Sequence, residues 1–128
     1  MKHIFLSFIL VCTSANCLAD IAIIAHPGAS LAVMDEGQIT RIYLGKAKTF
    51  PNGDPVKPAD QTRNSPSRDE FNQKVLKKNE SQLKSYWSKL IFTGKGNPPE
   101  TVGDDKGMLA WVASHEDGLG YVDAALVD

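Results

Sequence analysis

The sequence predicts a small α/β sandwich, a single mixed sheet with helices layered on it. Three observations carry that expectation: an apolar run without alternation near residue 20, helical apolar spacing in four later segments, and Pro, Gly and Asn clusters between them. Strands separated by helices in this order give one layered domain. No internal repeat, low-complexity tract or interdomain linker interrupts it.

The first residues stand apart from the fold. Lys2, the uncharged run Ile4 to Val11 and the small or polar stretch TSANCLAD have the form of a secretory signal peptide, with cleavage expected after Ala19. The apolar run is far shorter than the roughly 20 residues that cross a bilayer. Val11 before Cys12 and Asn16 before Cys17 are poor lead-ins for a lipid anchor. Both cysteines precede the expected cleavage point, so residues 20–128 would carry no disulfide, thiolate nucleophile or cysteine metal site. Those 109 residues suffice for one domain around one core. Their thirteen Lys and Arg against fifteen Asp and Glu leave a net charge of −2, which gives no bulk attraction for nucleic acid or an acidic membrane.

DIAIIAHPGAS reads as a strand buried on both faces, at about residues 20–26, ended by Pro27 and Gly28. Asp35 with Gln38 three residues on marks a helix start, Ile39, Ile42 and Tyr43 supply its apolar face, and Gly45 stops it. KAKTFPNGDPVKPAD is a loop leading to a brief strand near residues 55–60. Phe71, Val75 and Leu76 form a narrow stripe on a helix from Pro66 to about Lys77. In the next helix Leu83, Trp87, Leu90 and Ile91 share one face, with Tyr86 beside them. TGKGNPPETVGDD is a loop, after which Asp104 or Asp105 caps a helix carrying Met108, Leu109, Trp111 and Val112; LGYVDAAL is the last strand.

The segment DQTRNSPSRDEF, residues 60–71, concentrates hydroxyls and arginines at a helix start. Exposed N–H groups and the dipole make such an end attractive to anions. Two registers fit: Ser65 as N-cap with Pro66 in the first helical position, or Ser67 as N-cap with Glu70 closing a capping box. Plain capping accounts for one serine. It accounts less well for a second hydroxyl and for Arg68 in the same turn, where a cation opposes the dipole unless an anion lies between.

NSPSRDEF resembles the segment of phosphate-binding proteins of ABC uptake systems in which a small residue, a serine and an arginine open a helix and hold the oxyanion. QITRIYLGKAKTFPNGDPVKPADQ, YWSKLIFTGKG and GDDKGMLAWVASHEDGLGYV resemble further sections of that family in order, and of its short secreted relatives. The resemblance implies one lobe of a type 2 periplasmic binding protein, periplasmic and non-enzymatic, without a cofactor. It implies that Ser65, Ser67 and Arg68, with backbone N–H groups near Asn64, hold phosphate or a similar oxyanion. Two departures follow: Pro66 stands where the family has glycine, removing a donor, and the chain has the length of one lobe where the family closes two. Weak binding by a monomer is therefore expected. The partners this admits are a second copy or another protein completing the site, and an ABC permease. The rival is an interaction or sensory module that keeps the lobe without the ligand; Arg68 occupied by an acid such as Asp69 would favour it.

Other chemistries find little support. His26 and His115 are too few and too far apart in sequence to propose a metal site, and no GxSxG elbow is present. TGKGNPP lacks the spacing of a nucleotide phosphate loop, and Trp87 and Trp111 sit where core packing is the default.

Overall fold

The computed structural model describes residues 21–26 and 34–127. The expected signal peptide with its cleavage point, and the turn at residues 27 and 28, lie outside the described residues. Within them the elements follow as β1 (Ile21–Ala25), α1 (Glu36–Tyr43), β2 (Lys57–Asp60), α2 (Pro66–Phe71) continued by a π-helical turn (Asn72–Leu76), α3 (Glu80–Phe92), β3 (Glu100–Thr101), α4 (Asp105–Ser114), β4 (Gly118–Asp123) and a 3₁₀ turn (Ala124–Leu126).

One mixed sheet runs β1-β4-β2-β3. β1 is antiparallel to β4, with Ile21 opposite Asp123 and Ala25 opposite Leu119, while β2 is parallel to both β4 and β3. The carboxyl ends of β2, β3 and β4 and the start of β1 thus share one edge, and α2 and α4 begin just beyond it. Open α/β sheets bind ligands at such an edge.

β1 is buried along its whole length, as its unbroken apolar sequence predicts. α1 starts with the predicted capping box, the Asp35 side chain accepting from the Gln38 N–H and the Gln38 side chain accepting from the Asp35 N–H. Its end is marked by Gly45, whose φ of 77° belongs to the left-handed region. At the centre Phe71 stacks on Tyr121 with centroids 4.0 Å apart, and Tyr43 meets Phe71 edge-on at 4.7 Å. The Tyr43 hydroxyl donates to the Ala59 carbonyl at 2.8 Å, so this buried phenol is satisfied. On β4, Gly118 and Gly120 face α4: a Cβ on Gly118 would lie 2.6 Å from the Trp111 ring and one on Gly120 2.4 Å from Met108 Sδ. Both glycines are there so that helix and strand can touch.

Five expectations change. The last strand, expected to run through residue 126, ends at Asp123, and Ala124–Leu126 form a 3₁₀ turn. β2 begins at Lys57 because the preceding residues are held by a separate bridge, Thr49 to Pro55. The helix expected from Pro66 to Lys77 is α-helical only to Phe71; the π turn that follows brings both Val75 and Leu76 inside and ends at Lys77 with φ 58°. Residues 100 and 101, expected in a loop, pair with β2. Ile91, expected on the buried face of α3, is 50% exposed, and Phe92 is 90% exposed, because only Leu83 and Trp87 of that helix are buried.

Candidate anion site and the adjoining cleft

Ser65 is the N-cap of α2 and Pro66 occupies its first turn, the first of the two registers. The Ser65 hydroxyl accepts from the Arg68 N–H at 3.3 Å and donates to Gln61 Oε1. That hydroxyl is engaged on both sides by the chain itself.

Gln61 explains why. It is 0% exposed; its Nε2 donates to Asp105 Oδ1 at 2.9 Å and to the Tyr121 carbonyl at 2.8 Å, and its N–H donates to Asp60 Oδ1 at 2.9 Å. The amide ties the end of β2, the start of α2, the start of α4 and β4 into one network, which a buried polar group requires. Tyr121 donates its hydroxyl to Asp60 Oδ1. Burial raises the Asp60 pKa above its ordinary 3.8, against the opposing pull of Arg68 and the Tyr121 hydrogen bond. Burial and the facing Asp60 carboxylate raise that of Tyr121 strongly, keeping the phenol protonated.

Arg68 points under α3. Its Nε and Nη2 grip the two Glu80 oxygens at 2.5 and 3.0 Å, its Nη1 donates to the Gln61 carbonyl at 2.6 Å, and Nη1 lies 3.8 Å from Asp60 Oδ2. Asn72 Nδ2 adds a third donor to Glu80, at 2.9 Å. Burial works against the Arg68 charge, yet Asp60 and Glu80 outweigh it and raise its pKa. The acid on Arg68 is therefore Glu80, twelve residues downstream. A pairing that depends on the chain folding back at Lys77 leaves no local signal.

The candidate residues do not share one hollow. Arg68 lines a cleft of about 310 Å³ together with Asp60, Arg63, Glu80, Lys84 and Trp87. Ser67, buried, lines a shallow hollow of about 200 Å³ with Ile21, Pro66, Glu70 and Asp123, where two acids oppose an anion. Asn64 is exposed in the turn closed by the Ser65 N–H on the Thr62 carbonyl at 3.0 Å. Ser67 and Arg68 follow each other on a helix, where neighbours point about 100° apart. Gln61 and Glu80, which organise the cleft, carry no signal in the sequence: a lone Gln at a strand end makes no pattern, and the partners of both lie far along the chain.

Among the described residues no group of three His, Cys, Asp or Glu could hold a metal ion, and no helix is long and apolar enough to cross a membrane. His115 closes α4, its ring stacked on Trp111 at 4.2 Å and its Nδ1 2.7 Å from the Trp111 carbonyl.

No family model matches the sequence, and no curated protein matches it. Solved structures do match the fold. A protein described as a phosphate ABC transporter substrate-binding protein, from Clostridium perfringens and solved with phosphate bound, superposes with a TM-score of 0.66 at 20% identity, over 85% of this chain and 41% of its own. The fold matches that of one lobe of a periplasmic binding protein. An ABC-type phosphate transport receptor from Vibrio cholerae gives 0.59 at 14% identity, over 85% and 42%. The chain thus spans less than half the length of the receptors whose lobe it shares.

Proposed function

We propose that this is an exported, non-enzymatic binding module on a phosphate-receptor lobe, which meets a second body across the edge where α2 and α4 begin and holds a phosphate-class oxyanion only weakly by itself. What supports the ligand class is the fold shared with phosphate receptors, and what keeps the binding weak is the engagement of the candidate groups from within: Ser65 is taken by Gln61 and Arg68 by Glu80. An exposed half-site also leaves a dianion partly hydrated, and hydrogen bonds to charged groups contribute only about 1.5 to 3 kcal/mol each. The likeness to receptors described as serving ABC transport supports an oxyanion as ligand and a permease among the partners. The second body is another copy or another exported protein.

The test is calorimetric titration of residues 20–128 with phosphate and sulfate, alongside the mass in solution. Heat that saturates only at millimolar phosphate, and that strengthens when a dimer or a partner forms, is the expected result. A monomer that binds phosphate at micromolar concentration would overturn the need for a second body. The acid seated on Arg68 favours a second reading, an interaction or sensory module without ligand, for which phosphate gives no heat in any assembly.

A further inference from the structure

The Arg68–Glu80 contact has the geometry of a receptor and its ligand. A guanidinium fork accepts one planar oxyanion in bidentate fashion, and here that place is filled by the Glu80 carboxylate, with Nε and Nη2 at 2.5 and 3.0 Å. Asn72, 2% exposed, aims its Nδ2 at the same carboxylate, 2.9 Å from Oε2. The Gln61 carbonyl, 2.6 Å from Nη1, fixes the remaining edge of the guanidinium. Three donors thus converge on the Glu80 carboxylate, whose side chain is 33% exposed while that of Arg68 is 12% exposed.

The occupant is carried by a lightly held element. Glu80 is the first residue of α3, and of that helix only Leu83 and Trp87 are buried. The chain reaches it through the π turn and Lys77 with φ 58°. The cleft of about 310 Å³ beside the pair opens to solvent past Arg63 and Lys84, both exposed.

We propose that Glu80 is a built-in ligand: Arg68 and Asn72 form a latent oxyanion seat that the first turn of α3 keeps filled, and that takes a carboxylate or phosphate group from solution when the turn lifts. The proposal rests on the reading above that this lobe binds oxyanions, and it names what regulates that binding. A tethered carboxylate competes at a high effective concentration, and the apparent affinity for an outside anion falls by the fraction of molecules in which the seat is open. Asp60, 3.8 Å from Nη1, lowers the positive potential of the seat and so favours singly charged anions.

The experiment compares wild type, Glu80→Ala, Glu80→Gln and the double variant Arg68→Ala/Glu80→Ala in titrations with inorganic phosphate and with acetate, each backed by thermal melts and circular dichroism. Glu80→Ala and Glu80→Gln are expected to melt below wild type, to regain part of the loss on adding either anion, and to bind at least about tenfold more tightly than wild type, a gain absent from the double variant. Folded single variants that bind no better than wild type would overturn the seat, as would a gain that survives loss of Arg68. If neither single variant folds, the pair is a strut and the proposal falls. The outcomes separate from those of the preceding section: a gain in monomeric Glu80→Ala upholds the seat even if wild type never meets a second body, and a wild-type dimer that binds phosphate leaves the seat overturned if Glu80→Ala is no better.

Discussion

α4 lies so close to β4 that Gly118 and Gly120 have no room for a Cβ, whereas α3 buries only Leu83 and Trp87 and leaves Ile91 half exposed and Phe92 almost bare. The first contact is held by packing along its length. The second is held at points: the Tyr86 hydroxyl on the Leu44 carbonyl at 2.7 Å, Trp87 against Gly45, and Glu80 on Arg68. The difference teaches where this lobe can move without unfolding. Segments with few buried apolar contacts open at low cost, and sites that must open are drawn from them.

Substitutions can break or sharpen this contrast. Phe71→Ala removes the ring between Tyr43 and Tyr121 and should cost about 4 kcal/mol in chemical denaturation. Gly118→Ala drives a methyl into the Trp111 ring and the His115 carbonyl and should cost about 2 kcal/mol. A loss well below 1 kcal/mol in the Gly118 variant would show α4 to be as loosely held as α3.

Asp60 tests the polar network that joins the two regions. Its folded-state pKa is raised, so the folded state binds more protons than the unfolded one, and stability falls as pH climbs from 3.8 through the raised value, then levels. Asp60→Asn should flatten that part of the stability profile, measured by denaturation between pH 3.5 and pH 7 as an order-of-magnitude window around ordinary carboxylate pKa values, about 4. An unchanged slope would assign it to another carboxylate. The smallest effect is expected at Phe92→Ser, within about 0.5 kcal/mol, with hydrogen exchange in α3 still faster than in β1 and β4. A larger loss would mean that Phe92 is covered in solution.

Much of the body was legible because its signals are local. The capping pair Asp35 and Gln38, the unbroken apolar β1 and the Pro66 start each follow from a few adjacent residues, and each forms as expected. What escaped was set by distant packing. β3 exists only because residues 100 and 101 meet the end of β2, and Ile91 is exposed because little covers that end of α3. The same limit applies to the site: Ser65, Ser67 and Arg68 cluster in sequence, but the helix turns Ser67 and Arg68 toward different hollows, and Glu80, twelve residues after Arg68, takes the guanidinium.

The π turn at Asn72–Leu76 gives the chain a vulnerability to length rather than to chemistry. A π turn holds one residue more than the α-helical path would, so deleting Gln73, which is exposed, would let the segment relax into continuous α-helix. Everything beyond would then stay nearly in place, because the turn already absorbs that one residue, whereas adding a second residue would turn it by about 100° and push it on by about 1.5 Å. Glu80 would swing away from Arg68 while every side chain of the pair remained. A single-residue insertion here would thus separate the partners as surely as mutating one of them, with the composition of the site untouched.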